Sequence, residues 1–263
     1  MTGILAAGTD RPGAPHSGVA WAERTPVRVG DDVRRYARAM PNSRPPTRLR
    51  EPAAPRLPSR LTRVAVPDQP LGDDQVLLSL ELYDGGWAGT QAEDVEVNRC
   101  RFADAQIPGV VLPRARLEDV EMTRSDLANL QIIDGRMFTT RLANSRLTGL
   151  AWIDCSLRDM VFTDCRANLA RFRMSTLRDV IFRDCDLTEA SFQAATLNGV
   201  LFENCRLTGT QFSQAKVIDA RFKDCDLSGV GGVESLRGAT VSSADAQSLV
   251  WALASAFGIR IED

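Results

Sequence analysis

The stretch CDLTEASFQAATLNGVLF, residues 185–202, repeats one pattern every five residues. A small residue (Cys185, Ala190, Ala195) is followed two places later by a large apolar one (Leu187, Phe192, Leu197). Stepping outward by five in both directions gives 27 positions from Val97 to Leu227, and 26 of them are large and apolar, Ala167 being the exception. Only about one residue in three is of that kind in an ordinary domain, so the pattern is a true repeat. Eight of the ten phenylalanines lie on it. Leu82 and Trp87 carry the same phase upstream, which starts the pattern near residue 75.

Neither common backbone period explains a step of five. In a helix that step advances about 500°, smearing the apolar residues around the axis. In a flat strand it flips the side chain to the other face each time. The backbone must therefore turn a corner once per unit. Residues i and i-2 share a face in extended chain, so each unit points one large and one small side chain inward. The slot two residues after each centre marks the bend. It holds Asp94, Asp104, Asn144, Asp164, Asp184, Asn204 and Asp224, residues suited to turns.

Four units make one coil. The segments VFTDC, IFRDC, LFENC and RFKDC begin at residues 161, 181, 201 and 221. This spacing predicts one stack of Phe162, Phe182, Phe202 and Phe222 and another of Cys165, Cys185, Cys205 and Cys225. At an interstrand rise of about 4.8 Å, residues 82–227 would form a rod of about 35 Å. Larger residues in the small slot (Val110, Val120, Leu130, Leu150, Met160, Val180 and Val200) predict a swollen or distorted face.

These units resemble the A(D/N)LXX motif of pentapeptide-repeat proteins, over about half the chain. The resemblance implies an all-β solenoid, a right-handed quadrilateral β-helix with a filled interior. No cofactor is expected. Some of them bind type II topoisomerases, DNA gyrase especially, by imitating duplex DNA.

Outside the repeat the chain changes character. Eleven of 13 prolines precede residue 71, and residues 1–70 carry a net charge of +6 against -8 for the rest. Residues 1–70 read as a disordered, basic Arg/Pro-rich tail, with Met40 as an alternative start. Direct nucleic-acid contact is expected only through that tail. Residues 71–241 read as the β-helix, and 242–263 as a helix with a short terminal strand. Gly229, Gly231 and Gly232 interrupt the phase, which Leu236 and Val241 resume shifted by one residue. Ser243 is the expected N-cap of a helix near 244–257, with Ala246, Leu249, Val250, Leu253 and Phe257 as its apolar stripe and Gly258 as its stop. Such a cap would cover the open coil end. Trp251 lies off the stripe and is the candidate for a homodimer contact at the C-terminal end.

The chemistry is sparse. A single histidine, His16, excludes a His-based triad or a multi-His metal site within the chain. All six cysteines occupy the small inward slot, where they serve as small hydrophobes and not as metal ligands. No phosphate-binding G-x-x-x-x-G-K-[ST] loop is present, and Gly229-Val-Gly-Gly-Val-Glu lacks the third glycine of a dinucleotide fingerprint. The apolar run from Ile4 to Ala7 is too short for a signal peptide or a membrane span, so a cytoplasmic chain with reduced thiols is expected.

No enzyme is legible. What remains is a rigid protein-interaction scaffold, with a DNA-mimicking gyrase binder as the alternative. Mimicry needs a sustained negative surface, yet residues 91–230 sum to only -2 and the slot before each centre is often basic, as at Arg146, Arg166 and Arg206. Asp119, Asp159, Asp179 and Asp219 share one corner line and are the candidate partner-binding acids. Turn formation is the first reading of all four.

Overall fold

The computed structural model describes residues 49–66 and 71–262. The tail expected over 1–70 thus lies largely outside the described residues, along with the alternative start at Met40. Residues 49–66 run as a strap along the coils and end in a strand, Thr62–Ala65.

From residue 74 to 229 the backbone enters the left-handed region once per unit, except at Asp219. Asp104, Asn144, Asp164, Asp184, Asn204 and Asp224 do so at φ between 51 and 57°. Short polar Asp and Asn accept this conformation most readily among residues with a Cβ. The slot also holds Arg114, Leu169 and Met174 at φ 57, 61 and 58°, so the coil imposes the corner even where the residue disfavours it. Four corners per 20 residues give each coil four sides.

Every strand pair among the described residues is parallel. The chain forms a β-solenoid of about nine turns. The long strands Arg116–Thr123, Arg136–Ala143, Ser156–Thr163, Thr176–Arg183, Thr196–Glu203 and Lys216–Lys223 lie in succession on two adjoining faces. Val111–Pro113, Gln131–Ile133 and Ala151–Ile153 form a second sheet. That face continues as single bridges from Ala151 to Arg171, Ser191, Gln211 and Gly231.

Pairing follows a 20-residue offset, as in Ser156↔Thr176 and Phe162↔Phe182. The larger residues of the small slot do not distort it. Val120, Met160, Val180 and Val200 are fully buried, and the register stays regular from Arg116 to Glu203. Because they recur at 20-residue spacing, each lies over a residue of the same slot. The irregularity falls elsewhere, at a bulge that pairs Asn198 with Asp219.

The interior is a column of aromatic rings. Phe162, Phe182, Phe202 and Phe222 stack at centroid distances of 4.5, 5.1 and 4.9 Å with interplanar angles of 11, 5 and 4°. A second stack, Phe172, Phe192 and Phe212, runs beside it at 5.1 and 5.3 Å. Rings of the two stacks meet edge to face, as Phe192 meets Phe202 at 5.5 Å and 82°. Both arrangements suit the ring quadrupole: edge-to-face directly, and the parallel one when the rings are offset.

At the C-terminal end, a 3-10 turn at Val233–Leu236 precedes a strand, Thr240–Val241. Phe222 pairs with Val241, an offset one residue short of a full coil, which matches the phase shift in the sequence. The expected single helix is two short ones, Asp245–Ser248 and Val250–Ala256. Ser243 is not the cap: Ala244 holds that place, and the Asp245 N–H donates to Ser242 Oγ at 3.1 Å. Gly258, at φ 68°, follows the helix end. Residues 259–262 carry no strand, so the short terminal strand is absent from the described residues. No helix among the described residues is long and apolar enough to cross a membrane.

Candidate interaction surface

Three of the four candidate acids stand on one corner line. Asp119, Asp159 and Asp179 have φ of 53, 54 and 54°, and Thr139 occupies the rung between the first two. Gly199 continues the line at φ 70°, where a Cβ would come within 2.9 Å of Asp179 Oδ1. Asp219 leaves the line. The bulge at Asn198 displaces it, and its carboxylate lies 3.8 Å from Arg221 Nε.

The line is occupied by the chain's own strap. Arg50 donates from Nη2 to Asp159 Oδ1 at 3.1 Å and from Nη1 to Asp179 Oδ2 at 3.4 Å. The Ala53 N–H donates to Asp159 Oδ1 at 3.1 Å, and the Arg56 N–H to Asp119 Oδ1 at 3.0 Å. Arg158 Nε lies 3.3 Å from Asp159 Oδ2, and Arg178 Nε 3.8 Å from Asp179 Oδ2. Asp159 is only 7% exposed, so these donors replace the water a carboxylate would otherwise hold. These aspartates therefore do more than turn the chain. The strap itself was missed by sequence reasoning. Its signal was the three-residue spacing of Pro52, Pro55 and Pro58. Pro52 is buried and the other two half-buried, while Glu51, Ala54, Arg56 and Ser59 are exposed.

The remaining walls carry paired charges one coil apart. Arg114 grips Asp94 and Glu93 at 2.6 Å, Arg116 meets Glu96 at 2.7 Å, and Arg124 meets Asp104 at 2.8 Å. Glu203 lies between Arg183 at 2.8 Å and Lys223 at 2.6 Å. The guanidinium of Arg114 lowers the Asp94 pKa, and that of Arg124 lowers Asp104; Lys223 and then Arg183 lower Glu203. A mixed ladder from Asp126 through Arg146, Arg166, Asp186 and Arg206 to Asp226 is in register. Arg146 bonds Asp126 at 3.1 Å. Asp186 instead accepts from Thr188, and Asp226 from Ser228 and Thr208.

The cysteine stack is in place and buried. Cys165, Cys205 and Cys225 each approach a carbonyl of the coil below, those of Leu142, Phe182 and Phe202, at 3.6, 3.4 and 3.4 Å. Neighbouring thiols and burial hold Cys185 well above the ordinary thiol range. Burial raises Cys155 from near 9 to about 11. The unfolded chain therefore loses this proton first as pH rises. The Cys155 contribution to folding stability is full below pH 9, falls above it, and is spent near pH 11. Urea titrations at pH 8 and 10.5 read this loss, and Cys155→Ala reduces it. Equal losses in the two proteins would exclude Cys155 as a source.

Trp251 is 59% exposed, as is much of the apolar surface around it. The helical stripe is only partly inward: Leu249 is buried, while Val250, Leu253 and Phe257 are exposed. Val233, Leu236, Val241, Leu249, Leu253 and Phe257 line an apolar cleft of about 390 Å³. Among the described residues, no three His, Cys, Asp or Glu side chains are grouped to hold a metal ion.

Comparison with known proteins agrees with the repeat. Residues 135–211 match the family described as pentapeptide repeat region, and residues 205–230 match pentapeptide repeats (8 copies). No curated protein sequence matches the chain. Among solved structures the chain is similar to HetL, a pentapeptide repeat protein involved in heterocyst differentiation regulation from the cyanobacterium Nostoc sp. strain PCC 7120. Identity is 17%, over 80% of this chain and 95% of that one, with a TM-score of 0.30. It is also similar to trypsin-treated QnrB1, a plasmid-mediated fluoroquinolone resistance protein, at 17% identity over 73% of this chain and 100% of that one, with a TM-score of 0.30.

Proposed function

From the premise that this chain is a pentapeptide-repeat protein, we propose that it acts as a rigid protein-interaction scaffold with no reaction of its own. The observation that carries this reading is the pairing of wall charges. Acids at residues 94, 96, 104 and 203 each have a basic partner one coil away, so the field they project is short-ranged and patterned. A protein partner can read such a pattern. A protein that enters a phosphate-binding groove must present uninterrupted negative charge, and the best candidate line is covered by Arg50. The stacked rings and parallel ladder support rigidity.

The alternative, a DNA-like binder of gyrase, comes from the family resemblance. A supercoiling assay with DNA gyrase, with and without a fluoroquinolone, separates the two. Under the scaffold reading, micromolar protein leaves both supercoiling and drug sensitivity unchanged; inhibition or protection would replace that reading with mimicry. The proposed setting is the cytoplasm. The exposed side chains of Trp251 and Phe257 are the proposed contact of a homodimer, and the mass by light scattering in the same samples reports it.

A further inference from the structure

We propose that the corner line of Asp119, Asp159 and Asp179 is a binding strip for an extended arginine-bearing peptide segment, and that residues 50–58 fill it as a displaceable ligand in cis. The strip is geometrically matched to such a segment. Asp119 and Asp159 are two coils apart, about 10 Å at the interstrand spacing. Ala53 and Arg56, whose N–H groups they hold, are three residues apart, about 9 Å in a polyproline-type chain. Every third peptide residue therefore meets every second coil. Thr139, on the rung between, is passed over.

The contacts define what is recognised. Two main-chain N–H groups are read without regard to side chain, so positions 53 and 56 accept any residue except proline. Proline fits immediately before each of them, at 52 and 55, where it presets the extended form. One guanidinium three residues before the first N–H spans two adjacent carboxylates. None of these contacts depends on covalent connection to the coil. The strap is also lightly held. The Arg50 side chain is 54% exposed, and the segment pairs with the sheet only from Thr62 onward. When the strap leaves, Asp159 keeps Arg158 at 3.3 Å, and its vacated Oδ1 can accept the same donors from another segment. That replacement is an extended segment of a partner protein with arginine and the same proline spacing. The identification of a partner rests on the scaffold reading; the strap's own docking does not.

The probe is a labelled peptide of sequence LREPAAPRL, matching residues 49–57, used with the full chain. Arg50→Glu sets a carboxylate against Asp159 and Asp179 and lies outside the coil. By fluorescence anisotropy, we expect the Arg50→Glu chain to bind the peptide at least about ten-fold more tightly than the unaltered chain, and added Asp159→Asn to abolish the gain. A peptide with proline at position 53 should fail to compete. Hydrogen exchange should show protected amides at Ala53 and Arg56 in the unaltered chain, released by Arg50→Glu. The proposal is overturned if those amides are unprotected in the unaltered chain or stay protected in the variant. It is equally overturned if the released strip does not take the peptide, or takes it regardless of Asp159. Loss of the scaffold reading in the gyrase assay would leave all these readouts unchanged.

Discussion

Phe202→Ala is expected to destabilise the coil by about 3–5 kcal/mol, the range for emptying a buried aromatic site. Phe202 is fully buried and lies between Phe182 and Phe222 at 5.1 and 4.9 Å. It also meets Phe192 and Phe212 edge to face. Four ring contacts therefore vanish together. The cavity cannot collapse, because hydrogen bonds hold the coils above and below at fixed spacing. Phe202→Leu keeps most of the volume and should cost less than about 1.5 kcal/mol. Urea denaturation followed by two probes provides the measurement, since a repeat array need not unfold in one step. A cost below about 1 kcal/mol for the alanine variant would show that the ring column is not what stabilises these coils.

The second large effect is one of register. Deleting residues 181–200 removes one whole coil. Leu201 then follows Val180, Phe202 takes the place of Phe182 above Phe162, and Cys205 that of Cys185. The shortened chain should remain folded, with unchanged circular dichroism per residue. Removing two residues from the same region, Thr196 and Leu197, should destroy every coil beyond it. Each later corner would fall where the ladder requires extended chain, and each later centre would lose its stack. Comparable melting of the two deletions would refute the 20-residue coil as the unit of stability.

The coil was legible because two independent signals coincide in it. Leu187, Phe192 and Leu197 mark the interior at steps of five, and Asp184, Asn204 and Asp224 mark one corner at steps of twenty. The column of Phe162, Phe182, Phe202 and Phe222 follows from spacing alone. The bulge at Asp219 was not legible, because Val217 and Ala220 keep the apolar phase while the backbone gives up a corner. The strap was concealed for a different reason. Residues 49–61 have no periodic apolar side, and proline there reads as interruption. Their contacts are main-chain N–H groups and one guanidinium, which leave no mark in hydropathy. At the C-terminus Ser242, Ser243 and Ala244 differ only by one step of chain, and composition alone does not choose the cap among them.

One property of the strap bears on how the molecule is assembled. Along the coils, partners are 20 residues apart, so each turn can close as soon as its own residues emerge from the ribosome. Arg50 and Asp179 are 129 residues apart, and Arg56 and Asp119 are 63 apart. The strap is made before the coils it lies on, yet it can dock fully only after the turn bearing Asp179 exists. The first part of the described chain to be synthesised thus finds its place only after the coils up to Asp179 are built, which makes its docking a seal on a vectorially built rod.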